Sequence, residues 1–170
     1  MGYWVAGIGA CAANDYKNTI VITGDGSLQM NLQELQTIVH HKLPVKVFVL
    51  DNAGYLSIRS TQNNFFGRLV GAGPSSGVSF PNMLDVARAF GIPAIEIEGR
   101  DFEASLSSVL ASQGPCVGVV RLDPQQGFEP RSSSKSLPDG RIVSAPLEDM
   151  YPFLERDELR SNLFIEEWKN

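Results

Sequence analysis

An α/β fold is what this sequence predicts: a doubly wound parallel sheet with helices on both faces, three layers in a single domain. Three observations predict it. Short β-branched runs alternate with stretches of helical period along most of the chain, the pattern of strands joined by crossover helices. The strands read as continuous apolar runs, as strands buried on both faces do. The 170 residues, 43% hydrophobic and 19% charged, suffice for one core and lie far from the composition of disorder.

Residues 3–13, Tyr-Trp-Val-Ala-Gly-Ile-Gly-Ala-Cys-Ala-Ala, are too rich in alanine and glycine for a half-exposed strand and read as a tightly packed helix. Small side chains permit close approach, so this helix serves either the core or an oligomer interface. Residues 19–23, Thr-Ile-Val-Ile-Thr, form a strand that runs into the turn Gly24-Asp25-Gly26. From Ser27 to Lys42, Leu28, Leu32, Leu35, Ile38 and Val39 recur at helical spacing. Leu43-Pro44 ends that helix, because the residue before a proline is pushed out of the α region, and Val45 to Leu50 is the second strand. Asn82–Phe90 is a short helix, Ala94–Ile97 a third strand, Phe102–Ser112 a helix stopped by Gly114, and Val117–Leu122 a fourth strand. Residues 55–81, punctuated by Gly67, Gly71, Gly73, Pro74, Gly77 and Pro81, read as a long functional or mobile loop. The domain core therefore covers 1–123. Residues 124–170 read as a loop rich in Pro, Ser and Gly, a short helix around Leu147 to Leu154, and a charged tail.

Composition excludes several functions. A net charge of -5 without any Lys/Arg cluster excludes a nucleic-acid groove, which needs concentrated positive charge. No apolar run approaches the ~20 residues that cross a bilayer, and no basic segment precedes an apolar one at the start. The expectation is a cytoplasmic protein with no membrane partner. Cys11 and Cys116 lie in apolar runs without zinc-ligand or disulfide spacing and read as buried small hydrophobes in a reducing compartment. There is no G-x-x-x-x-G-K-[ST] phosphate loop, Gly7-x-Gly9-x-x-Ala12 precedes no helix start as a dinucleotide fingerprint would, and no Ser/His/Asp arrangement stands out.

Chemistry is carried by two strand ends. Ligands of open parallel sheets sit beyond the carboxyl ends of the strands, where this chain places Gly24-Asp25-Gly26-Ser27 and Asp51-Asn52-Ala53-Gly54-Tyr55. Asp25 offers a carboxylate, Asn52 an amide oxygen and the Gly54 region a bare main-chain carbonyl, the oxygen-only set that Mg2+ or Ca2+ prefers. Three protein oxygens leave room for phosphate oxygens and water. Glycines beside Asp25 let the backbone approach a phosphate, and the Ser27 N–H lies at a helix start. The 24 residues from Ser27 to Leu50 spell one helix and one strand, so a single βαβ unit delivers both ends to the same edge.

The run Gly24-Asp25-Gly26-Ser27-Leu28-Gln29-Met30-Asn31-Leu32-Gln33-Glu34-Leu35, then Leu43-Pro44-Val45-Lys46 and Asp51-Asn52-Ala53-Gly54-Tyr55, resembles the thiamine-diphosphate motif of the acetolactate synthase and pyruvate decarboxylase family. Met1-Gly2-Tyr3, Ile8-Gly9-Ala10 and Pro146-Leu147-Glu148-Asp149-Met150 resemble its acetolactate-synthase-like branch. The resemblance implies the thiamine-diphosphate-binding fold, with thiamine diphosphate and Mg2+ as cofactors. It implies that Asp25, Asn52 and the main-chain oxygen of Gly54 hold the metal, and that Gly24, Gly26 and Ser27 line the diphosphate. It implies that Met1 lies beneath the bent cofactor, with Tyr55 and Leu56 bordering it. Asp51 departs from the pattern, which usually has a first Asn there. The chain is also short: the family resembles about three domains of this size. The resemblance implies that this is the diphosphate-binding domain, N-terminally truncated, and that the glutamate that activates the cofactor comes in the family from a pyrimidine-binding domain.

Three readings stay open. In one, the chain is an enzyme piece that acts on a 2-oxo acid as a homo-oligomer or with a complementary pyrimidine-binding subunit, and is inactive alone, with no catalytic residue of its own. In another, it is a truncated, non-catalytic domain that keeps the fold. The third, an unrelated flavodoxin-like domain, explains the alternation but not the 24-residue spacing. His40 and His41 read as dipole partners at a helix end, Glu34 as structural, and Arg59 and Gln62 as reaching either substrate or solvent.

Overall fold

The computed structural model describes residues 3–137 and 139–165. The four apolar runs pair as one parallel sheet: β1 (Thr19–Gly24), β2 (Val45–Asp51), β3 (Ala94–Ile97) and β4 (Cys116–Arg121), in the order β1-β2-β4-β3. The register runs from Thr19 opposite Val45 to Gly24 opposite Leu50, and from Lys46 opposite Cys116 to Asp51 opposite Arg121. Asp25 and Asp51 therefore leave the sheet side by side.

The strand order reverses the winding. The chain steps from β1 to β2, passes over one place to β3, and returns to insert β4. Right-handed crossovers then require the last helix to lie on the opposite face from the others. One face carries Val21, Val45, Val47, Val49, Val117 and Val119 against α1 (Ala6–Ala13), α2 (Asp25–Gln29), α3 (Glu34–His40) and α5 (Met83–Ala89). The other carries Phe48, Ile97 and Cys116 against Val109 of α6 (Phe102–Ala111). Three layers result, doubly wound as expected. The second face is covered unevenly, and Ile20 and Ile22 of β1 stand 56% and 67% exposed. Among the described residues no helix is long and apolar enough to cross a membrane.

Two expectations within this unit are corrected. The helix expected over Ser27–Lys42 is two helices, α2 and α3, joined by tight turns in which Asn31 N–H donates to Leu28 O and Glu34 N–H to Asn31 O. Leu28 and Leu35 are seven residues apart and face the sheet either way, so the apolar period could not reveal the break. The loop expected over 55–81 begins with a helix, α4 (Leu56–Phe65), which buries no residue. It has no apolar stripe to read, and polar contacts hold it: Gln62 both donates to Val70 O and accepts from Val70 N–H.

Residues from Gln125 onward form a second compact unit. It contains an antiparallel hairpin, β5 (Ser134–Ser136) with β6 (Ile142–Ser144), and a helix α7 (Arg156–Asn162). The helix expected at Leu147–Leu154 is absent. Pro152 lacks the N–H of a helical turn and disfavours α geometry at Tyr151, which instead bridges to Arg131 in extended fashion. The buried Asp149 carboxylate accepts from both Nη atoms of Arg156 at 2.8 and 2.9 Å.

Among the described residues Lys46 is the largest fully buried side chain, its Nζ donating to Ser112 O and Gly114 O just beyond α6. Burial pushes its ammonium below the usual 10.5. The unfolded chain therefore binds more protons than the folded one in the window between the lowered value and 10.5, and stability due to this residue rises with pH there. Compared with Lys46→Met by urea denaturation, the wild-type chain is expected to gain relative stability from pH 8 to pH 10. A constant difference would contradict this. Gly118 packs where a Cβ would come within 2.9 Å of Ile97 Cδ1 and 3.0 Å of Phe48 Cδ1. Gly118→Ala is expected to cost about 1–3 kcal/mol in the same measurement.

Candidate functional site

The two strand ends meet in a hydrogen bond. Gly54 N–H donates to Asp25 Oδ2 at 2.9 Å, across 29 residues of chain, while Gly26 N–H donates to Asp25 Oδ1 at 2.7 Å. Asp25 is only 2% exposed. Burial pushes its carboxyl above the usual 3.8, the two N–H groups pull it back, and the nearby Asp51 carboxylate pushes it up again.

Asn52 Oδ1 is buried and has no hydrogen-bond partner. A buried oxygen in that state costs about 1–3 kcal/mol unless something positive meets it. The loop that carries it is tightly built. Ala53 takes a left-handed φ of 55°, a conformation glycine favours. At Gly54 a Cβ would fall 2.4 Å from Ala72 O and 2.5 Å from Arg59 Nη2, so this position admits no side chain. Arg59 braces the loop from α4, its Nη2 3.4 Å from both Asn52 O and Ala53 O and its Nη1 donating to Pro124 O.

The two glycines flanking Asp25 differ. A Cβ on Gly26 would reach 2.4 Å from Tyr55 Cε1 and 3.1 Å from Phe80 Cζ, because Tyr55 packs edge-to-face on Phe80 at 5.1 Å and lies across this turn. Gly26 is thus required by packing. At Gly24 the backbone has φ -85° and ψ 160°, open to any residue, and a Cβ would meet nothing nearer than Leu50 O at 3.9 Å. The fold does not ask for glycine there.

The structure therefore gathers Gly24, Asp25, Gly26, Asn52, Gly54 and Tyr55 at one edge, with Ser27 half-buried in the first turn of α2. Leu56, half-buried, opens α4. Met1 lies outside the described residues. His40 and His41 end α3 exposed, and Glu34 accepts from Thr37 Oγ1 within α3. The helix of residues 3–13 packs onto β1 so closely that a Cβ on Gly7 would strike Val21 Cγ2, with Trp4 and Cys11 in the core. Sequence reasoning missed Phe80, Arg59 as a brace, and an ion-pair chain in which Arg121 Nη1 joins Asp51 Oδ2 and Arg121 Nε joins Glu96 Oε1. Strand alternation puts Asp51, Glu96 and Arg121 on one face of their strands, but only the order β2-β4-β3 brings the three charges together.

Fold and site define a doubly wound α/β ligand-binding domain with its oxygens gathered at the carboxyl edge of the sheet. Residues 1–120 match the family model of the thiamine pyrophosphate enzymes' C-terminal TPP binding domain, and the chain belongs to that family. It is 38% identical over 118 residues to the acetolactate synthase large subunit of Porphyra purpurea, an alignment covering 68% of this chain and 20% of the relative. It is 35% identical over 152 residues to the acetolactate synthase isozyme 2 large subunit of Escherichia coli K12, covering 88% of this chain and 26% of the relative. The fold is similar to that of a thiamine diphosphate-dependent 4-hydroxybenzoylformate decarboxylase of Rhodococcus jostii RHA1, with a TM-score of 0.63 at 23% identity over 72% of this chain and 23% of that one. The chain is thus an acetolactate-synthase-like C-terminal thiamine-diphosphate-binding domain, spanning about a fifth to a quarter of the length of the curated relatives it matches.

The flanking glycines are separable by experiment. Gly26→Ala is expected to cost about 2–3 kcal/mol, since Tyr55 and Phe80 must move. Gly24→Ala is expected to cost under about 1 kcal/mol, the scale of a changed helix cap. Thermal melts of the two variants check this, and equal losses would contradict it.

Proposed function

We propose that this chain anchors the diphosphate of thiamine diphosphate through Mg2+, as one part of an enzyme that decarboxylates a 2-oxo acid and passes the product to a second carbonyl. The buried, unpartnered Asn52 Oδ1 beside a buried carboxylate carries the reading. Asp25, Asn52 Oδ1 and the main-chain oxygen of Gly54 are the protein's ligands for the ion, a hard-oxygen set. Gly26 and Gly54 N–H groups hold the Asp25 carboxylate oriented before any ion arrives. Arg59 fixes the Asn52 and Ala53 backbone, so the amide oxygen keeps its place.

Gly24, which the fold does not need as glycine, leaves room for a phosphate to approach the main chain, with Gly26 and Ser27 next along it. Tyr55 and Leu56 border the cofactor, and Met1 is assigned beneath it. Thiamine diphosphate itself, when bound, supplies the electron sink for decarboxylation and carboligation. This domain contributes anchoring and no proton transfer. Cofactor activation and substrate choice belong to a pyrimidine-binding part in a complementary subunit, within an oligomer, and this domain alone is inactive. Two buried free thiols suit a reducing cytoplasm. A non-catalytic domain that retains only the fold is the second reading.

Calorimetric titration of thiamine diphosphate into the purified chain tests the first reading. Heat is expected with Mg2+, and none with EDTA or in Asp25→Ala; a folded chain that gives no heat at millimolar cofactor would leave only the second reading. Asn52→Ala separates binding from folding. It is expected to abolish the Mg2+-dependent heat without lowering the melting temperature, because the oxygen removed has no partner to lose. A melting temperature that falls along with binding would contradict the assignment.

A further inference from the structure

Next to the three oxygens assigned to the ion stands a second carboxylate. Asp51 closes β2 and precedes Asn52, and with Gly24 level with Leu50 it leaves the sheet beside Asp25. Two carboxylates on a divalent ion would cancel its charge before any diphosphate arrived. Asp51 is committed elsewhere, however. Its Oδ1 accepts from Ala53 N–H at 3.2 Å, its Oδ2 pairs with Arg121 Nη1, and Arg121 Nε is held in turn by Glu96 Oε1. These groups come from β2, β4 and β3, with Asp51 directly opposite Arg121 in the register. Strand alternation puts all three on the sheet face that carries α2, hence on the side of Asp25.

We propose that Arg121 is a positioning residue of the cation site: it holds Asp51 out of the ligand set and cancels its charge. The chain alone then binds the ion weakly, and binds it firmly only when a diphosphate supplies the remaining oxygens. This rests on the cation reading given above. A purely structural ion pair makes a different prediction. Its side chains are 33% and 15% exposed, and breaking it from either side would loosen the loop and weaken any bound ion. Charge cancellation predicts effects of opposite sign from the two partners.

The test is Mn2+ binding to the full chain, read from the loss of the free-ion EPR signal at neutral pH and low salt, with circular dichroism as the check on folding. Arg121→Gln leaves Asp51 uncancelled and is expected to tighten Mn2+ about five- to tenfold, the Coulomb scale for one charge several ångströms from a divalent ion. Asp51→Asn removes one negative charge beside the site and leaves Arg121 to Glu96 alone, and is expected to weaken it by a similar factor. The double variant is expected within about twofold of wild type, and Arg121→Met repeats the first arm should Arg121→Gln fail to fold. With thiamine diphosphate present, the advantage of Arg121→Gln over wild type should shrink. Asp25-dependent Mn2+ binding that both single variants weaken, or that Arg121→Gln leaves unchanged, would overturn the proposal and leave the cation reading standing. Mn2+ binding to neither the wild-type nor the Arg121→Gln chain even with thiamine diphosphate present, or binding indifferent to Asp25→Ala, would overturn both.

Discussion

The bond from Gly54 N–H to Asp25 Oδ2 is the constraint on which the site depends. It ties the ends of β1 and β2 together, and it forms only because the parallel register brings Gly24 level with Leu50. A slip of one residue would turn every side chain of β1 to the other face, moving Val21 out of the core with the strand end. The valines that fill the first face therefore do more than stabilise the sheet. They hold two loops in the one alignment in which a carboxylate and an amide oxygen share an edge.

Burial gives that alignment its chemistry. A carboxylate on the surface has water as its partner, whereas Asp25 has two N–H groups and a neighbouring acid. The backbone around it is constrained from several sides at once: the left-handed Ala53, the side-chain-free Gly54, Arg59 on the carbonyls, and Tyr55 across Gly26. Local strain of this kind costs on the order of 1–3 kcal/mol per residue and persists only where the surroundings enforce it.

The sequence made the strands, their parallel pairing and the meeting of the two loops that carry Asp25 and Gly54 legible, because each rests on local composition or on the length of one βαβ unit. It did not reveal α4, whose residues are held by side-chain bonds to loop carbonyls rather than by an apolar face. It did not reveal the break between α2 and α3, since a spacing of seven satisfies both geometries. Pro152 stands inside the helix expected at Leu147–Leu154 and opposes it, since it lacks a helical N–H. Gly24 and Gly26 look alike in sequence and differ in space, one open and one pressed by an aromatic ring. The ion-pair chain of Asp51, Arg121 and Glu96 needed the strand order, which no local pattern contains.

Charge at the carboxyl edge draws these features together. A chain of net charge -5 gathers Asp25, Asp51 and Glu96 at the same edge of the sheet, in a family defined by binding a diphosphate. An anion approaching that edge meets repulsion in a partly desolvated setting, where Coulomb terms weigh more than in water. Two devices oppose it. Arg121 is spent on two carboxylates and cannot also meet a phosphate with its full charge. Asp25 has no cationic side chain among its interactions, so on the proposed reading the divalent ion is the group that makes carboxylate and diphosphate compatible. On that reading an acidic edge and an anionic cofactor are two requirements of one ion, with the unpartnered oxygen of Asn52 as one of its ligands.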